Sequence, residues 1–159
     1  MKYIFFVFVV LLFVSCESSD PMRVNNDDQF EKHYTSAYYF DANLKEDQYS
    51  VWENDSMLDL NKIGDKVKLK ESEVDELISI MKDTSCFKTE GECGTYFDNG
   101  GFLFYKGDRI IKVITVGCSY SYFSNSLEDW PSNGGGIKEP CDSKRYNPLL
   151  EGIWKRLKN

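Results

Sequence analysis

Ile110 to Val116 constrains the fold of this chain more than any other stretch. Ile111, Val113 and Thr115 alternate with Ile110, Lys112, Ile114 and Val116, leaving one face apolar and the other mixed. Such a run reads as a central strand with a helix packed on one side. Phe102 to Tyr105 is the strand before it, and Lys106-Gly107-Asp108-Arg109 joins the two as a tight hairpin.

Two helices are predicted to supply the packing layer. From Glu71 to Lys82, Val74, Leu77, Ile78 and Met81 recur at helical spacing, with Glu71, Glu73, Asp75 and Glu76 in the first turns. Those acids complement the helix dipole and read as a solvated helix start. A second helix spans about 148–158, with Asn147 as its N-cap, Pro148 at its first position and an apolar face of Leu149, Leu150, Ile153, Trp154 and Leu157. Tyr34 to Phe40 suits a further strand, closed by a turn at Asp41-Ala42-Asn43. Tyr49, Val51 and Trp52 suggest a short strand. Leu58 and Leu60 with Val67 and Leu69 suggest a hairpin turning at Gly64-Asp65. Asp98-Asn99-Gly100-Gly101 reads as a turn, its Asn-Gly pair a strong turn signal, and Gly134-Gly135-Gly136 reads as surface loop. The expected fold class is α+β: an antiparallel sheet with two packed helices, about 71–82 and 148–158, stapled by disulfides.

The disulfide expectation comes from cysteine arithmetic. Setting Cys16 aside leaves Cys86, Cys93, Cys118 and Cys141, an even number. Cys86–Cys93 with Cys118–Cys141 joins neighbours in sequence and is the preferred pairing; strand register could favour a crossed one. A four-cysteine zinc site is the alternative, but no Cys-x-x-Cys pair is present, so no metal ligand is assigned.

The first sixteen residues concern location. Met1-Lys2 is a basic start, Tyr3 to Val14 an unbroken apolar run of twelve residues, and Ser15 a small residue before Cys16. These are the parts of a secretory signal, and the run is short against the roughly twenty residues of a membrane-spanning helix. Phe13-Val14-Ser15-Cys16 resembles the lipobox of bacterial lipoproteins, with phenylalanine where leucine is usual. The resemblance implies that residues 1–15 are removed, that Cys16 carries lipid, and that the protein is anchored in a bacterial cell envelope. The apolar run and the Asn/Lys/Asp-rich body, with the helix at 71–82 and the strand pair at 102–116, resemble small lipoproteins of Bacteroidetes. That implies the outer membrane, facing periplasm or surface, and no activity. Residues 16–29, polar and without apolar period, read as lipidated N-terminus and tether, and 30–159 as a single domain.

Lys and Arg number 19 against 26 Asp and Glu, a net charge of −7. An acidic balance argues against nucleic acid, which is bound by clustered cations. His33 is the one histidine, and no nucleophile motif accompanies it, so no catalytic residue and no cofactor are assigned. The expected role is a non-catalytic binding or interaction module with a protein or glycan partner. Tyr120, Tyr122, Phe123 and Trp130, set among Gly, Ser and Asn, are the candidate binding surface. The alternatives are a structural accessory subunit of an envelope complex and a small hydrolase without a legible motif.

Overall fold

The computed structural model describes residues 22–24, 29–54, 57–88, 98–117, 122–124, 135–139 and 141–158. In chain order the elements are β1 (Met22–Arg23), α1 (Phe30–His33), β2 (Ser36–Ala42), β3 (Trp52–Asn54), β4 (Met57–Leu58), β5 (Ile63–Lys68), α2 (Glu71–Lys82), β6 (Phe87–Lys88), β7 (Asp98–Lys106), β8 (Arg109–Gly117), β9 (Tyr122–Ser124), β10 (Gly135–Ile137) and α3 (Asn147–Leu157). The class is α+β. The main sheet is antiparallel in the order β5-β2-β7-β8-β9-β10-β6, and β1-β4-β3 form a second, smaller sheet.

The hairpin β7–β8 is the spine, as its sequence predicts. It turns at Gly107, whose φ is 61°, and Thr35 ties it to the start of β2. The Thr35 hydroxyl accepts from Gly107 N (3.0 Å) and donates to the Tyr105 carbonyl (3.1 Å). β8 is buried on both faces from Ile110 to Gly117, Lys112 included.

On one face lie α1, α2 and α3. Val74, Leu77, Ile80 and Met81 of α2 and Leu149, Leu150 and Ile153 of α3 pack on Tyr39, Phe102, Phe104, Ile111 and Ile114. Ile80 takes the fully buried place expected of Ile78, which is partly buried. Phe30 of α1 meets Phe104 edge-on at 4.4 Å between ring centroids. The other face is covered as well, where the sequence predicts a helix on one side only. Val24, Val51 and Leu58 pack there on Phe40, Leu103, Ile110 and Val113. The covering layer is the small sheet with the chain leading into β3.

Several local expectations are corrected. Residues 22–24 were expected in the tether, but Met22 pairs with Leu58, Arg23 with Met57, and Val24 is 3% exposed. Asp98 to Gly101 do not turn; they are the first part of β7. The hairpin at Gly64-Asp65 does not form either. Both residues lie inside β5, which pairs with β2, whereas Leu58 belongs to the other sheet. The reason is steric. A Cβ at Gly64 would sit 2.7 Å from the Asp41 carbonyl oxygen, and one at Gly101 would meet the Ile114 carbonyl and the Phe40 ring. These glycines permit close approach between neighbouring strands, which local sequence cannot tell from a turn. Asp41 and Ala42, expected in a turn, likewise extend β2. Gly135 and Gly136, expected in a loop, pair with β9 as part of β10.

Asn147 is not an N-cap. The chain is already helical from Cys141 through a π-turn at Asp142–Tyr146. Pro148 lacks an N–H, and its ring crowds the carbonyl four residues back, so a widened turn just before it accommodates both defects.

Cys86 is joined to Cys141, with Cα atoms 5.4 Å apart. This overturns the preferred pairing of sequence neighbours. Pairing of Ile137 with Phe87, reinforced by Lys138 N donating to the Cys86 carbonyl (2.9 Å), brings the two cysteines together across 55 positions. Cys93 and Cys118 lie outside the described residues.

Candidate functional site

A cleft of about 350 Å³ opens where β2, β5 and α2 begin or end, on the helical side of the main sheet. Its volume is at the small end of the range for ligand sites, about 300–1,000 Å³. Tyr34, Thr35, Ser36 and Ala37 form one wall, Lys68 and Leu69 another, and Glu71 and Val74 of α2 the third. Leu69 N donates to the Ala37 carbonyl (2.9 Å), closing the base between the strands. Ala37, Leu69 and Val74 are buried, while Lys68 and Glu71 stand exposed at the rim. The cleft thus has an apolar floor and a rim carrying an ammonium, a carboxylate, a phenol and a hydroxyl.

The rim is held from behind. Tyr34 packs edge-on against Phe104 at 5.7 Å. Burial, and then the charges of Asp75 and Glu71, push its phenol above its ordinary pKa, so it stays protonated and can donate. At the start of α2, Glu73 reaches back to accept from Lys70 N (2.8 Å) and is gripped by both terminal nitrogens of Arg156 at 2.6 and 2.7 Å. Burial raises the Glu73 pKa, but the hydrogen bonds from Arg156 and Lys70 and the Arg156 charge outweigh it and hold the carboxyl below its usual value. This pair pins α3 to the first turn of α2, and with it the third wall of the cleft.

Two other polar clusters are structural in form. Arg145 donates to Glu76 (2.7 Å), Ser79 (2.9 Å) and Asp83 (3.3 Å), linking the π-turn to α2 beside the disulfide. Asp83, Cys86 and Cys141 lie close enough to suggest metal ligands. The two cysteines are bonded to each other, however, and have no thiolate to offer, which removes them from the zinc alternative. The second cluster is Asp98, 3% exposed, which accepts from Ser50 Oγ (2.6 Å) and Val51 N (2.9 Å) through one carboxylate oxygen. Its own N–H donates to the Tyr49 carbonyl (2.9 Å). It clamps the segment leading into β3 to the main sheet.

Of the residues expected to form a binding surface, Tyr122 and Phe123 lie in β9, between β8 and β10. Tyr120 and Trp130 lie outside the described residues, as does Cys16. His33 is exposed at the end of α1 and does not line the cleft. Trp154, expected in the core, is partly buried, and its indole N–H donates to the Tyr39 hydroxyl (3.0 Å). The cleft residues carry no motif; Lys68 looks like an alternating strand position and Glu71 like dipole compensation.

No protein-family model, curated protein or solved structure matches the chain. Among the described residues no helix is long and apolar enough to cross a membrane.

Proposed function

We propose that this protein is a lipid-anchored envelope lipoprotein whose domain binds a ligand without turning it over. The anchor reading rests on the basic start, the apolar run and Cys16. The binding reading rests on one observation: the cleft joins an apolar floor to a rim with donors and acceptors of both charge signs. That combination suits a hydroxyl-rich ligand, a sugar unit of an envelope glycan. Lys68, Tyr34 and Ser36 would donate to sugar oxygens, Glu71 would accept from hydroxyls, and Leu69 and Val74 would meet the apolar ring face.

The cleft is tested by titrating the oxidised domain with a panel of envelope glycans and following backbone amide shifts. Shifts confined to residues 34–37, 68–69 and 71–74 support the reading. Tyr34→Phe keeps the ring against Phe104 but removes the donor. It should weaken binding by a factor of about 3–10 with unchanged melting. A panel producing no shifts in these segments would reject a glycan site. The anchor is tested separately: Cys16→Ala should give an unlipidated, poorly processed precursor, and lipid-labelled protein at the wild-type level from that variant would reject it.

A further inference from the structure

If the lipid is on Cys16, β1 lies very close to it. Only residues 17–21 separate Cys16 from Met22, and Met22 already pairs with Leu58 while Val24 is buried in the core. A chain can span no more than about 3.6 Å per residue, so Met22 lies within about 22 Å of the anchored cysteine. A domain of this length has a radius of gyration of about 14 Å, and hence a diameter of about 36 Å. The link is shorter than the domain is wide.

The fold says which side is near. Met22 belongs to the small sheet, and the small sheet covers the face of the main sheet opposite α2 and α3. For the helical layer to rest on the bilayer, Met22 would have to stand off across the main sheet and the helices, about 25 Å at layer spacings of about 10 Å and a helix radius of about 5 Å, which is more than the link spans. Charge does not enforce the arrangement, because a chain of net charge −7 is not drawn to anionic headgroups. Resting on the lipid-anchor reading, we propose that the small-sheet layer is held against the lipid headgroups by the short link, so that α2, α3 and the cleft face away from the membrane. The partner of this surface is the bilayer to which the protein is attached.

The experiment uses full-length lipidated protein in zwitterionic vesicles that contain a nitroxide-headgroup lipid. A fluorescent amino acid is placed at Glu53, exposed on β3, in one variant and at Glu151, exposed on α3, in another. Quenching should be several-fold stronger at position 53. Inserting about 50 Gly and Ser residues between positions 18 and 19 should remove most of the difference, since a flexible linker of that length has an r.m.s. reach of about 40 Å, past the width of the domain. High salt should leave it unchanged, since screening acts on charge and not on chain length. Equal quenching at the two positions, in protein that floats with the vesicles and carries lipid on Cys16 by mass, overturns the orientation alone. Loss of the difference in high salt also overturns it. Protein that neither floats nor carries the lipid rejects the anchor and the orientation together.

Discussion

The two faces of the main sheet are covered in opposite ways. On one, α2 and α3 run for 12 and 11 residues and each drives three or more aliphatic side chains into the sheet. They are then tied to each other by Cys86–Cys141, by Arg156 on Glu73 and by Arg145 on Glu76 and Asp83. On the other face the cover is made of strands two or three residues long. It is held by a few buried side chains, chiefly Leu58, Val51 and Val24, and by the Asp98 clamp. Both layers exclude water from β8. Among the described residues the helical layer carries a disulfide and charged cross-links between its elements, whereas the small sheet is held by burial, by backbone pairing and by the Asp98 clamp. Layers with few internal links open at lower free energy than the global transition.

The largest expected effect is on the cross-linked layer. Replacing both cysteines, Cys86→Ser with Cys141→Ser, releases a constraint spanning 55 positions. In the chain-entropy model this costs about 4 kcal/mol. Thermal unfolding without reductant should show it, and a variant melting with the wild type would show that the bond adds nothing to the layer.

Next come matched cavities. Leu77→Ala in the helical layer and Leu58→Ala under the small sheet each empty a site that is 0% exposed. Each change costs about 2–5 kcal/mol. The comparison predicts different modes of failure. Leu77→Ala should lower the global transition, while Leu58→Ala should first speed hydrogen exchange in β1, β3 and β4. Uniform acceleration across both layers in Leu58→Ala would mean that the small sheet unfolds only with the rest.

Asp98→Ala removes the acceptor of a buried Val51 N–H and should cost about 1–3 kcal/mol. Its exchange signature should resemble that of Leu58→Ala, with α2 and α3 protected as before. Arg156→Ala should cost about 1–2 kcal/mol and leave the small sheet untouched.

The smallest effect is one of pH. Glu73 titrates lower in the folded chain than in the unfolded one, because Arg156 and Lys70 N favour its charged form. Its contribution is therefore complete above the unfolded value, about 4.3, and is lost as pH falls through the folded value. The stability gap between wild type and Arg156→Ala should be constant near neutrality and close below about pH 4. A gap that widens in acid would have the wrong sign.

The legibility of the sequence follows the same division. α2 was predicted with the bounds it has, because a stripe of aliphatic residues at helical spacing has one solution against a sheet. The β7–β8 hairpin was legible for a similar reason: its alternation and its Gly107 turn agree. The small sheet was nearly illegible. Strands of two or three residues are too short to show a period, and Val24 looked like part of a polar tether. The candidate cleft was not foreseen, because Tyr34, Lys68 and Glu71 become neighbours only when β5 pairs with β2 and α2 turns back over them.

What the sequence determined by itself is local: helix periods, the strand alternation of the spine and the even set of cysteines left when Cys16 is set aside. These signals arise within a few residues of one another, where backbone geometry dictates which side chains share a face. Which cysteine meets which, whether Gly64 and Gly101 turn or merely make room, and what covers the second face of β8 were decided by tertiary structure. Each depends on residues tens of positions apart arriving at the same place, and steric fit at that meeting leaves no local trace in the chain.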